Sequence, residues 1–211
     1  MVRPGALADC AWPGVTPDLL TLVVPVGALE QHGPHLPLDT DTRIAEAVAA
    51  AAFRAAATPP ALLAPAIAYG ASGEHEGFPG TISLGHEALR AVVVEYGRSA
   101  CRWARRLVFV NGHGGNVATL VEAVARLRYE GRDAAWFACV FPGADAHAGH
   151  TETSLLLHLC PDQVRTDALA EGNPAPLGEL LGAMRAGGVA AVSPTGVLGD
   201  PRAATAADGA R

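Results

Sequence analysis

The run Leu107-Val108-Phe109-Val110 is apolar throughout and breaks at once into Asn111-Gly112-His113-Gly114-Gly115-Asn116, and no other stretch leaves so few folds open. A short strand without polar alternation is buried on both faces, the condition of a parallel sheet covered by helices. A tight turn must follow it. Residues 116–130 then space Val117, Leu120, Val121, Val124 and Leu127 at helical intervals. The alternation recurs along the chain: residues 20–28, 61–69 and 133–141 read as strands, and residues 41–57, 87–104 and 151–159 as helices, with Pro161 closing the last. Thr40 or Asp41 can cap the first of those helices. Residues 70–84 form a long glycine-rich loop carrying charge, a kind of segment that is often functional.

With 211 residues, 50% of them apolar and 17% charged, the chain can bury one sizeable core, so a single domain over residues 1–211 is expected. All 15 basic residues are arginine. Without lysine, Schiff-base chemistry and a P-loop lysine are excluded. A net charge of −6 offers no basic surface for a nucleic-acid backbone, so no nucleic-acid partner is expected. Every apolar run falls short of the roughly 18 residues of a membrane span. Residues 1–17 lack the basic-then-apolar pattern of an export signal, so the reading is no membrane and a cytoplasmic location. Cys10, Cys101, Cys139 and Cys160 lie far apart, form no Cys-x-x-Cys pair, and read as reduced thiols.

Polar chemistry gathers in three places, each just after an expected strand, and in an open parallel sheet ligands sit beyond the carboxyl ends of the strands. The first, residues 27–41, carries Glu30, His32, His35, Asp39 and Asp41 on a loop stiffened by Pro34 and Pro37, with Pro25 just upstream. Carboxylates mixed with imidazoles suit Zn²⁺, Mn²⁺ or Fe²⁺. Glu30 and His32, two apart, can share one ion only if the chain bends; otherwise they serve two neighbouring ions. The second place is the glycine turn, whose spacing is not Gly-x-Gly-x-x-Gly, which disfavours a dinucleotide site and leaves His113 at the sheet edge. The third, His147-Ala148-Gly149-His150-Thr151-Glu152, sets two imidazoles before a helix, and imidazole is the side chain best suited to moving a proton near neutral pH. For Glu152 the plain alternative is a favourable charge on the first helical turn, with Thr151 or Thr153 as cap. On the long loop, Glu74 and His75 can line a pocket, whereas His86 and His158 read as structural or solvated and Glu122, Glu130 and Asp133 as surface charge. The three places are expected to converge in space.

Taken together, Glu30-x-His32, Asp41, the Asn-Gly-His-Gly-Gly-Asn turn and residues 147–152 resemble the creatininase family of metal-dependent amidohydrolases, over about residues 23–201. The resemblance implies a three-layer α/β/α sandwich with a mainly parallel central sheet, a metal site at the carboxyl edge of its strands, and assembly as a homo-oligomer. It implies two divalent ions, zinc, iron or manganese, with Glu30, Asp41 and His113 on one, His32 and Asp41 on the other, and Asp41 bridging. Creatininase proper has a glutamate two residues after the turn histidine to complete the second site; here that position is Gly115, and Glu152 is the carboxylate expected to stand in. Ions about 3.5 to 4 Å apart would activate a water and polarise the scissile carbonyl. His147 would pass the proton to the leaving nitrogen, with Glu74, His75 and His150 holding the substrate. Residues 64–75, 94–99 and 195–201 look most like a family member that trims a modified precursor peptide, which implies that peptide as substrate and release of a C-terminal Val-Tyr dipeptide. Rival readings are a family hydrolase of a small cyclic amide or formamide, and a catalytically inactive metal-binding scaffold. Residues 202–211 read as the opening of a helix left incomplete.

Overall fold

A computed structural model describes residues 5–17, 20–55 and 61–211, and β1 (Thr21–Val26) is the strand around which its sheet is built. On one side β1 pairs with β2 (Ala61–Leu63); on the other it pairs with β3 (Arg106–Asn111), which in turn pairs with β4 (Ala134–Ala138). All pairs are parallel. Val26 stands opposite Asn111 and Asn111 opposite Ala138, so β1, β3 and β4 end level. The order β2-β1-β3-β4 reverses direction between β1 and β3, and the crevice beyond such a switch is where open α/β sheets take ligands.

Three helices cover this sheet: α1 (Thr40–Ala55), α2 (Gly85–Ala100) and α3 (Val117–Tyr129). Leu22, Val24, Leu107 and Phe109 share one core with Leu89 and Val93 of α2 and with Leu120 and Leu127 of α3. The two helices approach so closely that a Cβ on Gly97 would lie 2.4 Å from Leu127 Cδ1. Alternate strand residues face opposite ways, and Pro25, on the other face, lines a cavity with Glu46, Ala50 and Phe53 of α1. Helices thus lie on both sides of a parallel sheet, as expected.

The expected strand over residues 61–69 stops at Leu63 for a backbone reason. Val23 O and Pro25 O accept from Ala64 N and Ile67 N, so the odd residues of β1 face β2. Pro25 has no N–H to return on that side, and Pro65 has none to offer. Only an isolated bridge between Val26 and Ile67 follows. The helix expected over residues 41–57 spans Thr40–Ala55, and residues 56–57 lie outside the described residues. The helix read as residues 87–104 runs Gly85–Ala100.

Two compact units share the chain. The first comprises Met1–Ala28, Asp41–Ala71 and Leu84–Cys139, with the sheet; the second comprises Leu29–Thr40, Ser72–Ser83 and Val140–Arg211. The second unit contains α4 (His150–Leu159), α5 (Leu177–Gly187) and α6 (Ala206–Gly209). No helix was expected over α5, where Gly178 and Gly182 lower helix propensity. Its Leu180 packs with Val189 and Leu198, and that burial decides. The residues read as an unfinished helix hold α6, capped by Thr205 Oγ1 accepting from Asp208 N at 3.1 Å. No described helix is long and apolar enough to cross a membrane, and the four cysteines are free thiols.

Candidate metal centre

In the first unit, Asp41 hangs from the first turn of α1 and His113 follows the end of β3. Glycines allow this meeting. A Cβ on Gly112 would sit 2.3 Å from the Asp41 carbonyl oxygen, and one on Gly27 would sit 2.5 Å from Thr42 Cα, so neither position admits a side chain. His113 Nδ1 lies 3.2 Å from Asp41 Oδ2. Its Nε2 lies 3.1 Å from the carbonyl of Ala71. A carbonyl only accepts, so in the neutral ring the hydrogen is on Nε2 and the lone pair of Nδ1 faces the carboxylate. The two asparagines of the turn fix this geometry. Asn111 Nδ2 donates to the His113 carbonyl at 2.7 Å, and Asn116 accepts from Ala71 N at 2.9 Å while donating to Gly27 O at 3.0 Å. Burial, with the Asp41 carboxylate beside it, pushes the Cys139 thiol up to about 12, so it offers no thiolate near neutral pH.

In the second unit, Glu30 is wholly buried, with His75 Nε2 at 3.4 Å and His147 Nδ1 at 3.8 Å from its Oε1. His32 Nε2 lies 3.8 Å from Glu152 Oε2. The His147 ring stacks obliquely between two others, 4.3 Å from His32 and 4.4 Å from His75. Backbone carbonyls again settle the tautomers. His147 Nε2 is 2.8 Å from Gln31 O, and His32 Nδ1 is 3.2 Å from Glu30 O, so both of those nitrogens carry the hydrogen. The Gln31 amide accepts from Gly33 N at 2.9 Å through Oε1, so its Nε2 donates, to His75 Nδ1 at 2.8 Å and to Gly196 O at 3.1 Å. With both amide hydrogens engaged, His147 Nε2, at 3.0 Å, keeps its own hydrogen for the Gln31 carbonyl.

His32, His113 and His147 therefore share one device: a hydrogen given to a backbone carbonyl, and a lone pair turned to a carboxylate. Two electron-pair donors facing each other suit a cation between them, and metal-binding histidines usually anchor their other N–H in this way. The oxygen and nitrogen donors fit zinc, manganese or iron. Within the second unit, two groups bring candidate ligand atoms within 4.8 Å of one another, Glu30 with His75 and His147, and His32 with His147 and Glu152; in the first group, the Gln31 donation to His75 Nδ1 leaves the hydrogen of that ring on Nε2, facing Glu30. Glu30 and His32 fall into different groups.

Around these groups the expectations divide. Glu152 Oε2 accepts from Ala148 N at 2.6 Å while facing His32, so its place on the first turn of α4 and its place near the imidazoles are compatible. The cap of α4 comes from neither Thr151 nor Thr153 but from Asp145, whose carboxylate accepts from His150 N and, at 3.0 Å, from Thr151 N. Thr153 Oγ1 instead meets His35 Nε2 at 2.8 Å. Burial, then the nearby His32, lowers the His35 pKa to about 4, which keeps that ring neutral. His75, from the long loop, joins Glu30, whereas His150 turns to Asp208, 3.5 Å away. Glu74 is half-buried in the turn Gly73–His75. Gln31 went unnoticed as a site residue, although it lies between the two residues that drew attention.

The family model for creatininase, described as creatinine amidohydrolase, matches residues 9–211. A mycofactocin precursor peptide peptidase of Mycolicibacterium smegmatis is 66% identical over 193 residues, covering 90% of this chain and 78% of that protein. One of Mycobacterium tuberculosis is 62% identical over 214 residues, covering 98% and 84%. Among solved structures, a mutant creatininase matches with a TM-score of 0.79 and 29% identity, covering 98% of this chain and 91% of the other. Further solved creatininases are described as a Zn-Zn type and as a Mn form.

Proposed function

The chain belongs to the creatininase family, and on that premise we propose that it is a metal-dependent peptidase hydrolysing an amide bond of the modified mycofactocin precursor peptide, with release of a C-terminal Val-Tyr dipeptide. The observation that carries the metal-dependent part is that His32 and His113 each anchor one ring nitrogen to a backbone carbonyl and turn the lone pair of the other to a carboxylate. The substrate follows the relatives that are 66% and 62% identical to this chain over the aligned stretches.

Asp41 and His113 in the first unit, and Glu30, His32 and Glu152 in the second, are the proposed ligands of two divalent ions, zinc, iron or manganese. When bound, such ions polarise a carbonyl and lower the pKa of water. Glu152 supplies a carboxylate that Gly115 does not. His147 is the proposed carrier of the proton to the leaving nitrogen: the Gln31 carbonyl holds the ring hydrogen at Nε2 and so keeps Nδ1 as the nitrogen that takes up a proton. Closed assembly of several copies belongs to the same proposal.

The test is incubation of metal-loaded protein with the modified precursor peptide, creatinine and a formamide. Cleavage of the peptide alone, with Val-Tyr as product, is expected. Turnover of creatinine or the formamide instead would replace the substrate class, and a protein that binds metal yet hydrolyses no amide would be a scaffold.

A further inference from the structure

Beside the histidine groups of the second unit lies a cleft of about 650 Å³, within the usual range for ligand sites. Pro34, Pro37, Pro79 and Pro194 line it, so much of its wall is set before any ligand arrives. Phe78 adds an aromatic surface. Gln31, whose amide orients His75 and whose carbonyl anchors His147, also lines the cleft and joins it to the proposed chemistry.

One charged residue lines this cavity, Arg165. Its guanidinium donates to the carbonyl of Pro34, and its backbone N–H to the carbonyl of His35 at 2.9 Å. Arg98, Arg106 and Arg202 each pair with carboxylates, whereas among the described residues none pairs with Arg165. A guanidinium has five N–H donors in a planar fork matched to a carboxylate. The bond to Pro34 holds the head at the wall and leaves the other donors for a ligand.

We propose that this cleft binds the carboxyl-terminal end of a peptide substrate, with Arg165 as counter-charge to the terminal carboxylate and the proline walls and Phe78 against an apolar side chain. Charge complementarity selects the occupant: one cation and no acid among the described residues that line a peptide-sized cleft. A small neutral cyclic amide has no negative charge to place on Arg165. The inference rests on the peptidase reading and deepens it, since a cleft that holds the free end of the chain also sets how far from that end the cut falls.

The experiment compares the modified precursor peptide with its C-terminal amide as substrates of the metal-loaded protein, and in parallel titrates Val-Tyr, Val-Tyr amide and Asp-Tyr amide calorimetrically. Amidation is expected to raise KM about tenfold or more with kcat kept, and to weaken dipeptide binding to match. Arg165→Gln should remove the distinction, and Arg165→Lys should keep part of it, with thermal melts confirming that both fold. Equal KM for acid and amide in the unaltered protein, or an Arg165→Gln that raises both alike, overturns the proposal. Binding of Asp-Tyr amide as tight as that of Val-Tyr overturns the terminal carboxylate as the group read. If no peptide is cleaved, the peptidase reading fails, and the titration, which needs no turnover, still decides the cleft.

Discussion

The two units differ in the balance of what they bury, although the first also encloses Asp41, His113 and the two asparagines of the turn. The first gathers Leu22, Val24, Leu89, Leu107, Phe109, Leu120 and Leu127 into one apolar core. The second has a small apolar cluster at Leu180, Val189 and Leu198, and buries Glu30, His32, His35, His75 and His147. Apolar burial stabilises without direction, whereas each buried polar group costs free energy unless a partner meets it in the right geometry. A damaged residue in that apolar core should therefore register as lost stability, and one among Glu30 and the buried imidazoles as lost chemistry.

The largest effect expected is on turnover. His147→Gln should lower kcat by about 10² to 10⁴, the span of general acid–base catalysis, with metal content by elemental analysis little changed. A matching loss of metal would recast His147 as a ligand. In the first unit, Phe109→Ala removes a ring that is wholly buried beside Tyr96 and should cost about 3–5 kcal/mol in denaturant unfolding. A cost near zero would break the contrast between the units at its simplest point. Glu152→Ala should weaken metal binding at one site, by about tenfold or more in titration. Unchanged stoichiometry with unchanged affinity removes Glu152 from the ligands.

The smallest effect is on pH dependence. The His35 pKa is about 4 in the fold against 6.5 ordinarily. Between those values the unfolded chain binds a proton that the folded chain does not, so stability contributed by the neutral ring is present above about 6.5 and lost as pH falls towards about 4. Urea midpoints of the metal-free protein across that window, compared with those of His35→Asn, isolate the slope; identical slopes would mean that the ring is not held neutral.

Much of the sheet was legible because β3 is an apolar run ended by glycines, a pattern with few interpretations. The early end of β2 was not, because it depends on which neighbour the missing N–H of Pro25 faces, a property of pairing. At the site, the residue types were legible and their arrangement was not. His75 and His150 are equivalent as letters, yet one lies against Glu30 and the other against Asp208. The lone pairs of His32, His113 and His147 are aimed by the carbonyls of Glu30, Ala71 and Gln31, groups that every residue possesses and that no letter distinguishes. Arg165 becomes notable only once Pro34, Phe78 and Pro194, remote in sequence, share a cleft with it.

Gly27 and Gly112 lie so near the backbone of Thr42 and Asp41, in the opening turn of α1, that a methyl group on either would press on the main chain of the helix. That displacement would be carried into the helix end and from there to the Asp41 carboxylate. The height of that carboxylate above the sheet is governed by two residues that have no chemistry of their own, and an engineer wishing to retune it would do better to rebuild the turn than to alter the acid.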